Sequence, residues 1–185
     1  MALTKTPVCD FGKKAEDFKL KSIENKIISL NDVKGEKATL IMFICNHCPY
    51  VKAIIRDLAK DCNELKKDGI NSIAIMSNDT KNYPEDSFDN MIKFAKTNNF
   101  REINYLIDET QEIARKYGAV CTPDFFGYNK ELNLQYRGRF RELKDLKPVS
   151  GGDSDLKVAM KMISETQAGP KEQIPSMGCN IKWFN

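Results

Sequence analysis

Residues 38–49 read ATLIMFICNHCP, and this stretch decides the fold. Its first seven residues form an unbroken apolar run, which is typical of a central strand covered on both faces. Apolar residues then recur at helical spacing from Val51 to Leu65, which predicts that the strand leads directly into a helix. Cys45 and Cys48 fall at this junction, and two thiols with two residues between them can close a small disulfide. The sequence therefore indicates redox chemistry at the end of a buried strand.

The other elements alternate in the order expected of an α/β protein. Residues 70–76 read as the next buried strand, so strand, helix and strand form one right-handed βαβ unit. The same patterns predict a hairpin of residues 17–20 and 26–30, helices around 88–95, 113–117 and 156–163, a strand at 103–107, and a hairpin of residues 124–128 and 132–136. The prediction is an α/β fold with a mixed central sheet flanked by helices.

The chain has the size of one domain. It contains 185 residues, 41% of them hydrophobic, which is enough for a single core. We treat residues 1–185 as one domain, with residues 1–35 as an N-terminal hairpin extension and residues 170–185 as a C-terminal tail. Ile181 and Trp183 give the tail apolar side chains, so we expect it to pack on the body.

Charge and cysteine content narrow the function classes. Lys and Arg number 29 against 26 Asp and Glu, and the two signs are interspersed, so we expect neither nucleic-acid nor membrane binding. The first residues carry no apolar leader, and no run of about 18 apolar residues occurs, so we expect a soluble cytoplasmic protein. Six cysteines in a chain of this length indicate reduced thiols, a few of them reactive, rather than a secreted disulfide scaffold.

The position of the cysteine pair favours an activated thiol. A thiolate attacks disulfides, whereas an ordinary cysteine is mostly protonated at neutral pH. We expect the N-terminus of the following helix to stabilise an anion on Cys45, with His47, when protonated, as a nearby cation. Cys48 then lies close enough to resolve a mixed disulfide, and Pro49 suits the first helical turn because its missing N–H costs little there.

A zinc site is the structural alternative for the pair. Zinc takes four ligands, but a second Cys-x-x-Cys is absent and the chain's one histidine, His47, lies inside the first motif. Ligands from Cys121 and Cys179 would be needed, so we favour redox chemistry without a metal or other cofactor.

Thr122-Pro123 is the second candidate element of the site. Its X-Pro bond is either cis, presenting the Thr122 backbone for strand pairing with a bound polypeptide, or trans at an ordinary strand start. Cys121 directly precedes it and is either an accessory resolving thiol or a buried space-filling residue. Cys179 in the tail has the same two interpretations.

Four segments, in order, resemble the AhpC/TSA (redoxin) branch of the thioredoxin-like superfamily. They are FICNHCPYVK (43–52), CTPDF (121–125), YRG (136–138) and SMGCNIKW (176–183). The resemblance covers nearly the whole chain and is closest to bacterial thioredoxin-like proteins with a Cys-Asn-His-Cys-Pro site. It implies a thioredoxin fold, Cys45 as nucleophile, Cys48 as resolving thiol and Pro123 as a cis proline beside them. Thr39 stands where thioredoxin has a buried Asp, so the resemblance identifies no proton acceptor.

The leading hypothesis is a thiol–disulfide oxidoreductase in redox homeostasis, acting through a reversible Cys45–Cys48 disulfide. Its partners would be a disulfide-bearing protein or a small thiol/disulfide substrate, and an upstream thiol reductant. We expect the substrate to lie beside Asn46, Pro49 and Thr122.

Two alternatives stay open. The first is an antioxidant thiol peroxidase, because Cys48 occupies the place of the peroxidatic cysteine in peroxiredoxins, with Arg137 as the candidate thiolate-stabilising residue. The second is a metal-binding module, which is disfavoured because copper-handling relatives of this fold use a distant histidine that the chain lacks.

Overall fold

The structure is a computed structural model that describes residues 3–184. Its strands are β1 (Leu3–Lys5), β2 (Lys19–Ser22), β3 (Ile27–Ser29), β4 (Ala38–Phe43), β5 (Ile70–Met76), β6 (Ile103–Ile107), β7 (Cys121–Thr122), β8 (Asp124–Asn129), β9 (Leu134–Tyr136), β10 (Leu143–Lys144), β11 (Lys147–Pro148) and β12 (Met177–Asn180). Its α-helices are α1 (Leu30–Val33), α2 (Pro49–Leu65), α3 (Phe88–Thr97), α4 (Glu112–Tyr117) and α5 (Asp155–Thr166). Short 3₁₀ turns cover Lys66–Asp68 and Pro84–Asp86.

The main sheet has seven strands in the order β3-β2-β6-β5-β4-β8-β9. β4 lies near its middle, parallel to β5 and antiparallel to β8. All six residues of β4 are buried, which explains its continuous apolar sequence. The predicted α/β fold with a mixed sheet flanked by helices is confirmed.

The sheet separates two hydrophobic cores. On one face, Leu40 and Met42 of β4 pack among apolar side chains of α2, α3 and α5. On the other face, Ile41 and Phe43 pack against side chains of α1 and α4. Successive side chains of a strand point to opposite faces, so this one strand contributes to both cores and is held rigidly between them.

A second, three-stranded sheet was not predicted from the sequence. Its order is β1-β12-β7, so the C-terminal strand lies between the N-terminal strand and the strand that precedes Pro123. Beyond β12, Ile181 is buried and Trp183 is half-buried, with the Arg115 guanidinium 4.3 Å from its ring. The tail therefore reaches the end of the main sheet at which β4 leads into α2.

Residues 1, 2 and 185, which belong to the expected terminal extensions, lie outside the described residues. Across residues 3–184, no helix has the length and apolar character needed to cross a membrane.

Candidate active site

Cys45 and Cys48 lie in the connection between β4 and α2. The strand ends at Phe43 and the helix begins at Pro49, so Cys48 is the N-cap residue and Cys45 lies in the preceding loop. The expectation that Cys45 occupies the helix N-terminus was therefore wrong, whereas Pro49 does lie in the first turn of the helix. Both cysteines are buried, with 1% and 0% of their surface exposed. The unpaired N–H groups at the start of α2 thus face Cys48.

Thr122 contacts both sulfur atoms. The Cys48 thiol donates to the Thr122 carbonyl oxygen at 3.1 Å, and the Cys45 sulfur lies 3.4 Å from the Thr122 hydroxyl oxygen. The bond between Thr122 and Pro123 is cis. The carbonyl contact favours the protonated form of Cys48, because a carbonyl oxygen only accepts hydrogen bonds.

Other groups around the pair favour an anion on Cys48. A hydrogen bond from the Cys45 thiol, together with the backbone N–H groups of Val51 and Cys179, lowers the pKa of Cys48 despite its burial. The pKa of Cys45 is raised well above its usual value by the same interaction with Cys48, by burial and by the Asp86 carboxylate. The resemblance implies Cys45 as the nucleophile, but the electrostatics favour Cys48 as the thiolate.

Asp86, which sequence reasoning missed, organises the loop between the cysteines. It is fully buried, and its carboxylate accepts hydrogen bonds from the backbone N–H groups of Asn46 (2.8 Å) and His47 (3.3 Å). It also accepts from the Asn78 side-chain amide at 2.8 Å and lies 2.7 Å from His47 Nδ1. The His47 ring stacks on Tyr83, with 5.6 Å between ring centroids. His47 thus lies beside the pair, as expected, and its ring is bonded to a buried carboxylate.

Asn46 has a structural role in this loop. Its side-chain amide donates to the Glu85 carbonyl at 3.1 Å, and its carbonyl oxygen accepts from the Tyr105 hydroxyl at 2.9 Å. The side chain is therefore occupied within the protein. These contacts hold the loop, and the placement of Asn46 beside the substrate stays a prediction.

The outer edge of β7 is already paired. β12 runs antiparallel to β7, with Cys179 opposite Thr122 and Asn180 opposite Cys121. The edge of β7 that faces β12 is therefore not free for pairing with a bound polypeptide, whereas the sequence predicts such pairing if the Thr122-Pro123 bond is cis. This pairing brings Cys179 to Cys48, and burial with the thiol contact to Cys48 raises the pKa of Cys179 to about 11.

Cys121 is oriented differently. Its thiol is fully buried and donates to the Pro123 carbonyl oxygen at 3.5 Å. Burial raises its pKa, with a smaller contribution from Asp124. These contacts fit the space-filling interpretation of Cys121 better than the accessory-thiol interpretation.

Arg137 does not stabilise the thiolate. Its guanidinium donates to both carboxylate oxygens of Asp124, at 3.3 and 3.0 Å, and to the Gly118 carbonyl at 2.8 Å. It also lies over the Phe126 ring at 4.5 Å. Its charge is thus used in a buried ion pair, which does not support the thiolate-stabilising role that the peroxidase alternative assigns to it.

Three potential metal ligands converge at the site. One ligand atom each from Cys45, His47 and Asp86 lies within 4.8 Å of the others. Both oxygens of Asp86 already accept hydrogen bonds from N–H donors, and His47 Nδ1 is engaged with the same carboxylate. An ion would have to displace these bonds, so the donor set fits a proton-handling pair better than a metal centre.

A cavity of about 440 Å³ opens beside Pro123 and the first turns of α2. Its apolar wall includes Tyr50 and Ile54, and the tail contributes Ser176 and Met177. Its charged lining residues are Lys5, Arg139, Arg141 and Asp145.

The chain is similar to known proteins over its whole length. The model of the AhpC/TSA family matches residues 11–140. An uncharacterized conserved protein from Geobacillus kaustophilus is 38% identical, with a TM-score of 0.94 and coverage of 100% of this chain and 97% of that one. A hypothetical protein from Sinorhizobium meliloti 1021 is 35% identical, with a TM-score of 0.90 and 98% of each chain covered. No curated protein matches the chain.

More distant structures share the fold. The thioredoxin domain of a thiol-disulfide oxidoreductase from Bacteroides vulgatus is 18% identical, with a TM-score of 0.59 and coverage of 70% of this chain and 89% of that one. The fold is thus the thioredoxin fold that the sequence resemblance implied. Because the family model spans most of the chain and includes both cysteines and Pro123, this protein belongs to the AhpC/TSA family.

Proposed function

We propose that this protein is a thiol–disulfide oxidoreductase that works through a reversible disulfide between Cys45 and Cys48. The observation that carries the proposal is the pair of interacting, buried thiols at the start of α2, both in contact with Thr122. Membership of the AhpC/TSA family supports the broader statement of a thioredoxin-like redox function. The composition argument supports a cytoplasmic setting as part of the same proposal.

The first step is attack by the Cys48 thiolate on one sulfur of a substrate disulfide. A bond forms between that sulfur and Cys48, and the other substrate sulfur leaves as a thiolate that takes up a proton. Cys45 then loses its proton and attacks Cys48 Sγ, which closes the Cys45–Cys48 disulfide and releases the second substrate thiolate. An upstream thiol reductant returns the pair to the dithiol.

The pair of His47 and Asp86 is placed to accept the Cys45 proton. Their ligand atoms lie within 4.8 Å of the Cys45 sulfur, and they are bonded to each other at 2.7 Å. This assignment fills the position that the resemblance leaves without a proton acceptor at Thr39. The buried carboxylate orients the imidazole, as a hydrogen-bonded partner commonly does for a histidine that handles protons.

A small disulfide fits the site better than a folded protein. The strand edge beside Pro123 is taken by β12, so an extended polypeptide would have to displace it. The neighbouring cavity of about 440 Å³ has a size typical of small-molecule sites. Arg139 is paired with Asp155 and Glu142, but Lys5 and Arg141 outnumber Asp145 in the lining and would favour a substrate with carboxylates.

We predict that the protein, supplied with dithiothreitol, accelerates reduction of oxidised glutathione and has little effect on insulin disulfides. Formation of oxidised dithiothreitol, followed by its ultraviolet absorbance, checks both arms. Rapid insulin reduction with no effect on oxidised glutathione would contradict the choice of substrate. If the double Cys45→Ser/Cys48→Ser variant kept both activities, the assignment of the active site would be wrong.

Peroxidase activity is the second candidate, and the low pKa of Cys48 is the observation that favours it. The engagement of Arg137 with Asp124 weighs against it. We therefore expect hydrogen peroxide to be consumed no faster than by a peptide thiol of similar pKa. Fast consumption that disappears in Cys48→Ser and survives in Cys45→Ser would instead support the peroxidase.

Substitutions of His47 and of Asp86 are expected to shift the reduction potential of the disulfide in opposite directions. His47→Ala leaves the Asp86 charge without its imidazole partner, which disfavours a nearby thiolate, so the disulfide becomes harder to reduce. Asp86→Asn removes that charge and makes the disulfide easier to reduce. We expect shifts of about 30 mV or more, equivalent to about 1.4 kcal/mol, in opposite directions in a glutathione redox titration.

The matched control is Glu85→Gln, because Glu85 is the exposed neighbour of Asp86 and should leave the potential unchanged. An unchanged or raised potential in His47→Ala would refute the electrostatic role of the histidine.

A further inference from the structure

We propose that Cys179 is a third redox-active thiol that resolves mixed disulfides on Cys48 by forming a Cys48–Cys179 bond. The inference rests on the proposed function in one respect, since Cys48 must first react with a disulfide. It assigns a catalytic contact to the C-terminal strand, which the two-cysteine mechanism leaves without a role.

Hydrogen bonds hold the tail against the chain around Pro123 on both sides of the two residues of β7 that pair with β12. The Ser176 hydroxyl donates to the Pro123 carbonyl at 2.9 Å. Further along, the Ile181 N–H donates to the Val120 carbonyl at 3.3 Å. The tail thus lies where an extended substrate would lie if it paired with this edge, and Cys179 is its residue opposite Thr122.

Glycine at position 178 allows this close approach. A Cβ atom at Gly178 would lie 2.0 Å from the Thr122 carbonyl oxygen and 3.1 Å from Pro123 Cδ. Any other residue would push the strand away from Thr122, and the Cys179 thiol would move with it. The register of Cys179 against the dithiol therefore depends on its neighbour in the chain.

The far end of the tail is anchored as well. The Lys182 N–H donates to the Asn78 side-chain carbonyl at 2.9 Å, and the Lys182 carbonyl accepts from Asp79 N–H and the Gln111 amide, both at 2.8 Å. Asn78 also donates to Asp86, so the tail is joined to the same polar network as His47. These bonds fix the strand from both ends rather than leaving Cys179 on a loose terminus.

Cys48 is consequently flanked by two thiols. The Cys45 sulfur lies 3.4 Å from the Thr122 hydroxyl, the Cys48 thiol donates to the Thr122 carbonyl at 3.1 Å, and Cys179 is the residue paired with Thr122, so the three cysteines meet at one residue. A substrate sulfur bonded to Cys48 can then be displaced from either side. In the Cys179 route, Cys179 loses its proton and attacks Cys48 Sγ, the bond from Cys48 to the substrate sulfur breaks, and that sulfur leaves with the electron pair and takes up the proton.

The test uses the full-length Cys45→Ser protein, in which serine keeps a hydrogen-bond donor beside Cys48. The reduced variant is incubated with oxidised glutathione, quenched in acid, alkylated and mapped by mass spectrometry. Cys48 forms a mixed disulfide with glutathione, and attack by Cys179 releases reduced glutathione. We expect a Cys48–Cys179 bridge as the main product, reversed by dithiothreitol.

Two matched variants locate the effect. Adding Cys179→Ser should abolish the bridge and leave Cys48 as a stable glutathione adduct. Adding Cys121→Ser should leave the bridge intact, because Cys121 is the other neighbouring thiol but bonds to Pro123 instead. Adding Gly178→Ala should reduce the bridged fraction severalfold while circular dichroism shows a folded protein.

Persistent glutathione adducts on Cys48 with Cys179 free in Cys45→Ser would overturn the inference, as would bridging of Cys179 to Cys121. Absence of a Cys45–Cys48 disulfide in the wild-type protein would overturn the proposed function separately, since the two experiments use different variants and detect different bonds.

Discussion

Replacing Cys48 with serine is expected to reduce disulfide turnover to the uncatalysed background. The start of α2, the Cys45 thiol and two backbone N–H groups all favour an anion on this sulfur, and no other described cysteine has a lowered pKa. Serine keeps the size of the side chain and its hydrogen bond to the Thr122 carbonyl, so the fold should be retained. The loss would therefore be chemical, since a hydroxyl at neutral pH does not replace a thiolate.

The comparison with Cys45→Ser makes this prediction specific. Cys45→Ser should still react with oxidised glutathione at Cys48, whereas Cys48→Ser should form no adduct at Cys45. Mass spectrometry of both variants after short incubation measures the first step, and the glutathione assay measures turnover. Cys9→Ser, which alters a thiol outside the site, is the control and should behave like the wild type. An adduct at Cys45 in Cys48→Ser, together with Cys48 left as a free thiol in Cys45→Ser, neither as an adduct nor bridged to Cys179, would restore the order implied by the sequence resemblance.

Asp124→Asn is expected to cause the largest loss of stability, about 3 kcal/mol or more. Asp124 is fully buried, and its carboxylate accepts two hydrogen bonds from Arg137 and one from the Val120 N–H at 3.2 Å. Neutralising one member of a buried ion pair leaves the other charge uncompensated, which typically costs about 3–5 kcal/mol. The free energy of unfolding of the reduced protein, from urea denaturation, measures the loss.

The control is Glu24→Gln in the exposed pair that Glu24 forms with Lys26 at 2.9 Å. Exposed ion pairs contribute at most about 1 kcal/mol, so this variant should unfold close to the wild-type midpoint. A change below about 1 kcal/mol in Asp124→Asn would show that the buried pair does not hold this region together.

The sequence predicted the main sheet because its signals are local. The apolar run of β4 and the helical spacing after it depend on burial of neighbouring residues, and a strand and a helix formed at these positions. The start of α2 was misplaced by three residues. The reason is nonlocal, since Asp86 bonds the N–H groups of Asn46 and His47 and holds them in a loop ahead of the helix.

The sequence predicted which two cysteines form the candidate site, but not which residues surround them. The Cys-x-x-Cys motif has a recognisable spacing, whereas Asp86 lies in a polar loop with no periodicity to mark it. Only its place after β5, the strand beside β4, could have suggested that it reaches the cysteines. The pairing of β12 with β7 joins residues far apart in the chain, and short strands of this kind carry little sequence signal.

The most direct test of the account is disulfide mapping of the wild-type protein across a graded glutathione redox buffer. The samples are quenched in acid, free thiols are alkylated, and the paired cysteines are identified by mass spectrometry with and without a metal chelator. The account predicts a disulfide between Cys45 and Cys48 that forms and disappears reversibly with a single midpoint and is unaffected by the chelator. Free Cys45 and Cys48 across the whole range, or thiols that become reactive only after a metal is removed, would contradict it.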